Sequence, residues 1–426
     1  MAHPGKTAAA LIAFARKRSP FYRQLYRGLP QKIDSLVSLP AVRQENFWRA
    51  NSYRGNRLLT GPIRDGILLR SGGTTGKPKF SVFSRDEWNE FSAYFARKLA
   101  LSGLRNGDRV ANLFYSGALY GSFLFTHKVL EECPVRTLQL PITGTTPPPD
   151  TISLLKEHEA SVLAGLPSTI SALAGLLKTR GLCLPKIRLI LFAGEPMQPD
   201  QRLQAHAAFP KARIRSIGYA SNDAGMLGYA DPGCGPNEFR SCDGHSVYEI
   251  LDEKTGDPLA EPGREGLAFV TSLTRRLMPI IRYPVGDRAM WIEPKGASNR
   301  KYRLLGRSED SARVASLSVG FDEAFKTVRE SLPRSGPIQL QMVMEHRGGK
   351  DGLALRVAAR VPPKERKPLE RRIVQALHIR QPMLRRFVGE DKIHPLRVEW
   401  RAPGELETNP RTGKLRRIID LRASKT

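Results

Sequence analysis

The sequence predicts an α/β fold: a large N-terminal domain of layered βα sheets with a small β subdomain, followed by a small α+β C-terminal domain. Three observations lead there. Between residues 85 and 192, strand-like apolar runs alternate with helical patterns. A helix is expected over 85–102, with Trp88, Phe91, Tyr94, Phe95 and Leu99 on one face, and a strand over 110–114. Strands over 135–140, 162–167 and 187–192 then alternate with helices over 149–158 and 168–178. Repeated βα units imply a largely parallel sheet whose ligand sits at the carboxyl ends of the strands. Second, the runs 247–251 and 267–271 alternate with turn residues such as Asp257-Pro258, as β-hairpins do, so a β subdomain is expected over about 235–300. Third, a helix over 322–331, strands over 338–346 and 353–359, a helix over 363–379 and a strand over 395–399 make the last domain. The division is 1–307 and 308–426.

The 426 residues allow two or three domains with a sizeable core, and 40% are hydrophobic. No apolar run approaches the roughly 20 residues of a membrane span. Residues 7–27 have helical spacing broken at Ser19-Pro20. The short apolar stretch Ala8–Phe14 precedes Arg16-Lys17-Arg18, the reverse of a signal peptide, so a soluble helix is expected. Four cysteines are too few for a disulfide framework and fit a reducing cytoplasm. Cys234, Cys242 and His245 are close in sequence, but their spacing fits no standard zinc template. They are read as a packed loop, with a metal site as the alternative.

The net charge is +27, and residues 301–426 hold 28 Lys and Arg against 15 Asp and Glu, a net of +13. An anionic partner would account for this, and so would a solvated basic surface. No RNA-binding aromatic motif, Cys/His finger or helix-turn-helix pattern accompanies the charge.

The stretch from Ser71 to Lys79 reads Ser-Gly-Gly-Thr-Thr-Gly-Lys-Pro-Lys. Glycines let backbone N–H groups approach an anion closely, hydroxyls donate to phosphate oxygens, and lysine adds charge. The bland alternative is a glycine-rich linker. It is no Walker A loop, since Ser71 stands where that pattern needs glycine and Pro78 where it needs Ser or Thr. Residues 67–69 and 80–83 read as strands, which puts the run at a hairpin tip.

This run resembles the phosphate loop of the acyl-adenylate-forming ligases, the superfamily of acyl-CoA synthetases, adenylation domains and luciferases. Ser71, Gly72, Gly73, Thr74, Thr75, Gly76 and Lys79 would hold the ATP phosphates. The segment Ser19-Pro20-Phe21-Tyr22-Arg23 with Leu39-Pro40 is similar to the opening of the phenylacetate–CoA ligase branch. The resemblance implies an acyl pocket around Tyr115, Tyr120 and Gly121, although either tyrosine alone is equally well read as core. It puts the backbone of Gly194-Glu195-Pro196 against adenine. It stacks Tyr219 on the base, sets Asn222 near the α-phosphate and makes Asp223 the Mg²⁺-linked carboxylate. Asn222 and Asp223 stand where the family has Ser or Thr and Glu. Asp287, in Arg-Tyr-Pro-Val-Gly-Asp, would accept both ribose hydroxyls, Arg307 would contact ribose or phosphate, and Glu309 would be the hinge of a mobile C-terminal lid. Lys414, in Arg-Thr-Gly-Lys-Leu, would reach the active site and stabilise charge during adenylation. Ala315-Ser316 replaces an arginine–glycine pair beside the thiol tunnel, which weakens the case for CoA.

The motifs run from residue 20 to 417 and cover nearly the whole chain. They imply that a carboxylic acid, expected to be an aryl or related small acid, attacks the α-phosphate of Mg·ATP. The acyl-adenylate then passes to a thiol, of CoA or of a phosphopantetheine carrier protein, which is usually acidic. A non-catalytic ligase-fold protein that binds an anionic partner such as nucleic acid is the other class, opposed by the intact Thr75, Asp287 and Lys414. Oligomeric state, a homodimer included, stays open.

Overall fold

The computed structural model describes residues 7–33, 35–52, 54–71, 79–117, 119–197, 199–307, 311–332, 338–359, 361–402, 405–407 and 415–422. Five parallel strands form the sheet expected from the βα repeats. Their order is Leu138–Leu140, Arg109–Leu113, Val162–Gly165, Leu189–Phe192 and Arg213–Ser216. The strand expected over 135–140 is shorter than its apolar run. The central strands are almost wholly buried because helices cover both faces. Leu163 and Ile190 face the helices Pro148–Glu157, Pro167–Thr179 and Pro199–Ala208. Val162, Leu189 and Leu191 face the opposite layer, which includes Phe95 and Leu99 of the helix Arg85–Leu99 and Val129 of Ser122–Glu131. Ser84 and Glu87 close a capping box at the start of Arg85–Leu99.

The chain places Leu138–Leu140 on one side of Arg109–Leu113 and Val162–Gly165 on the other. At such a reversal of strand order the two connections diverge and leave a crevice at the carboxyl ends.

A seven-stranded antiparallel sheet follows, in the order Ser246–Leu251, Glu265–Ser272, Tyr283–Trp291, Lys301–Arg307, Glu238–Arg240, Gly225–Tyr229 and Gly218–Ser221. It is wider than the expected 235–300. Gly218–Ser221 and Gly225–Tyr229 pair with each other and extend it, so Tyr219 is built into its edge strand. The N-terminal helices Ala8–Arg18, Pro20–Leu25 and Gln44–Ala50 pack on it through Leu11, Tyr22, Tyr26 and Phe47. The Tyr22 hydroxyl donates to the Pro279 carbonyl at 2.9 Å and accepts from the Ile281 amide at 3.2 Å. The Phe-Tyr-Arg segment is therefore a strap that holds this sheet.

The C-terminal part has a four-stranded sheet, Arg397–Arg401, Lys350–Ala358, Gln339–Arg347 and Ile418–Asp420, with helices Phe321–Ser331, Pro363–Arg380 and Pro382–Gly389. The last helix and the strand Ile418–Asp420 were not expected from the sequence. A hairpin, Ser311–Val314 with Leu317–Gly320, leads into this part. Ala315 at its turn has φ +52°, the left-handed region. Its amide donates to Asp351 Oδ2 at 2.8 Å, which holds it there.

Candidate active site

A cavity of about 580 Å³ opens at the carboxyl ends of the parallel strands and extends to the edge of the antiparallel sheet. Its apolar end is lined by Trp88, Phe91, Phe95, Phe114, Tyr120 and Phe125. The phenyl rings of Phe91 and Phe125 stack at 4.6 Å, so this end is an aromatic box between two helices. Gly121 lines it as well, and a Cβ there would stand 2.5 Å from Leu69 Cδ2.

The polar end carries Tyr219, Asn222 and Asp287. The Tyr219 hydroxyl donates to Asp287 Oδ2, across strands that are not neighbours in the sheet. A ring and a buried carboxylate are thus presented together, one suited to stack on a base and the other to accept from hydroxyls. The turn after Leu189–Phe192 brings Gly194, with φ +86°, and Glu195 to the wall. Glu195 is 8% exposed, and its Oε1 accepts from Ser168 Oγ at 2.6 Å. Burial pushes its carboxyl up to about 7 even though the Ser168 hydrogen bond pulls it down.

The strands Ile67–Ser71 and Lys79–Phe83 pair antiparallel with Ser71 opposite Lys79, which sets the glycine-rich run at the hairpin end. Gly72, Gly73, Thr74, Thr75 and Gly76 lie outside the described residues, as do Glu309 and Lys414, and Ser71, Lys79 and Arg307 are described by backbone alone. Asn51 fixes the hairpin base: its Nδ2 donates to the Phe80 carbonyl at 2.8 Å, and its Oδ1 accepts from the Phe80 amide at 3.2 Å.

Two expected site residues do not line the cavity. Asp223 Oδ2 accepts from the Tyr283 hydroxyl at 3.2 Å. The turn is pinned by Arg275, whose guanidinium donates to the Asp223 carbonyl at 2.7 Å and lies 3.6 Å from the Phe83 ring centre. That places the carboxylate on the Tyr283 side, and as oriented it does not fit a Mg²⁺ ligand in this cavity. No group of three His, Cys, Asp or Glu side chains among the described residues could hold a metal ion. Tyr115 is the second. It is 2% exposed, its hydroxyl bonds Thr169 Oγ1 at 3.2 Å, and it faces the C-terminal part.

A scan against protein-family models finds no match. A phenylacetate–coenzyme A ligase of Thermus thermophilus is 26% identical over 97% of this chain and 94% of its own length. An indoleacetate–lysine synthetase of Pseudomonas savastanoi is 27% identical over 72% of this chain and 73% of its own length. The crystal structure of a 2-hydroxyisobutyryl-CoA ligase with its acyl-AMP and CoA, in the thioesterification state, superposes with a TM-score of 0.76 at 19% identity, over 97% of this chain and 88% of that one. The same ligase in its postadenylation state gives 0.61. Over nearly its whole length the chain is thus similar to phenylacetate–CoA ligases of the acyl-adenylate-forming superfamily.

In this ligase fold the C-terminal part sits against the cavity mouth. Arg313 donates to the Gly194 carbonyl, and Arg313 and Arg422 join the cavity wall. His346 Nε2 meets Asp200 Oδ1 at 2.8 Å, and its Nδ1 meets Asp351 Oδ1 at 2.6 Å. Burial alone would lower the His346 pKa, but the two carboxylates outweigh it and hold the imidazolium above its ordinary range. Lys392, 7% exposed, donates to the Tyr115 hydroxyl, to the Gly144 carbonyl at 3.0 Å and to Glu390 Oε2 at 2.6 Å. Burial pushes its ammonium down to about 8. Sequence reasoning missed Arg275, Arg313, His346 and Lys392. A lone basic residue carries no local signal, and each gains its meaning from a partner far along the chain.

Cys242 is buried beside Tyr94, whose ring stacks on His245 at 4.3 Å, while Cys234 lines the cavity. The expected packed loop accounts for Cys242 and His245, and Cys234 stands apart from them.

Proposed function

We propose that this protein activates a carboxylic acid with ATP to an acyl-adenylate and passes the acyl group to the thiol of CoA. The observation that carries this is the pairing of Tyr219 with Asp287 at the polar end of a cavity whose other end is an aromatic box. The polar end suits an adenosine; the box suits an aryl or related small apolar acid. The relative named above as a phenylacetate–coenzyme A ligase supports the aryl acid and the CoA acceptor.

The acid carboxylate attacks the α-phosphorus and pyrophosphate leaves; the thiol then attacks the acyl carbon and AMP leaves. No protein nucleophile is needed. The chain positions the reactants and neutralises charge. Thr74, Thr75 and Lys79 would grip phosphate, Asn222 the α-phosphate, Asp287 the ribose and Arg307 ribose or phosphate. Lys414 would stabilise charge on the carboxylate and α-phosphate while the C-terminal lid turns about Glu309. Tyr120 and Gly121 shape the acyl end. The seam, with Arg313 on Gly194, would help keep water from a mixed anhydride that water hydrolyses.

A carrier-protein thiol is the second reading of the acceptor, favoured by the +13 charge of residues 301–426. No helix among the described residues is long and apolar enough to cross a membrane, and all four cysteines are free thiols, which suits a reducing cytoplasm.

The test is pyrophosphate release from Mg·ATP across aryl and aliphatic acids, first with hydroxylamine as trap and then with CoA. Release with an aryl acid and sustained turnover with CoA are expected. Release with hydroxylamine but not with CoA moves the acceptor to a carrier protein. Activation of long-chain acids alone would reject the aryl assignment.

A further inference from the structure

We propose that Glu195 is the base that removes the thiol proton in the second half-reaction. The inference rests on the ligase reading above and names a role for a side chain that this reading uses only through its backbone.

A thiol with an ordinary pKa near 8.5 is mostly protonated at neutral pH, and the thiolate is the nucleophile. A base poised near neutrality, reaching the cavity where the thiol meets the acyl carbon, would supply it. The other described acids and bases of the cavity wall do not meet that need. Asp231 is bound by Arg240 and Glu238 by Arg303, and in each the arginine outweighs burial and holds the carboxyl below its ordinary range. Asp287 is held by the Tyr219 hydroxyl at the polar end. Burial pushes the Cys234 thiol up to about 11. Arg202, Arg215 and Arg313 are cations. Asp420 is bound bidentate by Arg422.

Glu195 differs from all of these. It follows the strand Leu189–Phe192 at the carboxyl edge of the parallel sheet. Ser168, at the start of Pro167–Thr179, orients Oε1 from the connection after the neighbouring strand Val162–Gly165. The Gly194 carbonyl beside it is the point where Arg313 of the C-terminal part docks, so the carboxyl stands at the cavity wall where the two parts meet. The groups that face it are Ser168, Arg313, Asp351 and Tyr120. Arg313 favours the carboxylate, Asp351 opposes it, and burial lifts the carboxyl to about 7, so it is ionised in a large fraction of molecules at neutral pH.

In the step, Glu195 takes the proton from sulfur as the S–C bond forms. The bond from the acyl carbon to the phosphoryl oxygen breaks, and AMP leaves with that electron pair. Glu195 then returns the proton to solvent.

The test compares two acceptors on one acyl-adenylate. Hydroxylamine attacks through a neutral nitrogen lone pair and needs no prior deprotonation; CoA needs it. Wild type is first shown to release pyrophosphate with an acid of the panel. Glu195→Gln should then lower the ratio of thioester to hydroxamate formation roughly a hundredfold, the size of a general-base effect. It should also move the rise of thioester formation from near pH 7 toward the thiol's own pKa. Ser168→Ala keeps the carboxylate but removes the hydrogen bond that favours its charged form. It should shift the same rise to higher pH, and it covers the case in which Glu195→Gln fails to fold. An unchanged ratio in Glu195→Gln, an equal loss with both acceptors, or an unshifted profile in Ser168→Ala overturns the proposal. Wild type that releases no pyrophosphate with any acid removes the ligase reading itself, and the proposal with it.

Discussion

At the polar end of the cavity, the proposed nucleotide side, Tyr219 meets Asp287 from 68 residues away, and both belong to one antiparallel sheet. At the seam, Arg313 meets Gly194 across 119 residues, His346 meets Asp200 across 146, and Lys392 meets Tyr115 across 277. The first contact is fixed by strand pairing, which is cooperative with the fold. The second group is fixed by how the C-terminal part packs against the parallel-sheet part, through a buried cluster that runs into both. The nucleotide side should therefore respond to mutation through substrate binding and the chemical step. The seam should respond through the balance between half-reactions and through pH.

The largest effect expected is from Lys414→Ala, which should slow pyrophosphate release roughly 10²–10³-fold while ATP binding stays measurable, as loss of one preorganised charge in a transition state does. Stopped turnover assays with a saturating acid check it, and unchanged release would reject the assigned role.

Asp287→Ala comes next. Hydrogen bonds to a charged group contribute about 1.5–3 kcal/mol, so KM for ATP should rise on the order of 10–100-fold, with a smaller change in kcat. A change confined to kcat would separate Asp287 from the ribose.

The seam should titrate in two opposite directions. His346 binds a proton more tightly docked than free, so its contribution to docking is complete below its ordinary pKa near 6.5 and is lost as pH rises through the raised value. Lys392 binds its proton less tightly when buried, so docking gains as pH rises from about 8 toward the ordinary lysine value near 10.4. Hydrogen exchange of the Gly194 and Gly144 segments at pH 6, 7.5 and 9 reads both. His346→Gln should weaken protection at pH 6 several-fold while Lys392→Met acts with the opposite pH trend. Identical profiles in both variants would remove the distinction between the two latches.

The smallest effect is at Ala315. A left-handed alanine costs roughly 1–2 kcal/mol relative to a right-handed one, and glycine avoids most of that cost. Ala315→Gly should raise stability by about 1 kcal/mol in urea unfolding, and a decrease would mean that the buried Ala315 methyl contributes more than the left-handed backbone costs.

Much of the fold was legible in the sequence because periodicity reports local geometry. The alternation from residue 85 to 192 predicted the parallel sheet, and the glycine-rich run was bracketed by two strands that pair as expected. The Val135–Thr137 part of an expected strand was not, since an apolar run does not say where a sheet has a neighbour to offer. The subdomain was drawn too narrow because Gly218–Ser221 and Gly225–Tyr229 look like a turn-rich motif until strand pairing assigns them to the sheet. In the site, Tyr120, Gly121, Glu195, Tyr219, Asn222 and Asp287 share one cavity. Asp223 and Tyr115 do not, because Tyr283 and Lys392 claim them.

By itself the sequence determined the βα repeat, the hairpin that bears the glycine-rich run, and the residue types of an adenylate-forming ligase, because each is written in contiguous residues. Tertiary structure alone decided which way Asp223 points, where the C-terminal part docks, and that Glu195 is buried at the seam with a raised pKa. These follow from desolvation and from partners tens to hundreds of residues away, and no local pattern encodes either.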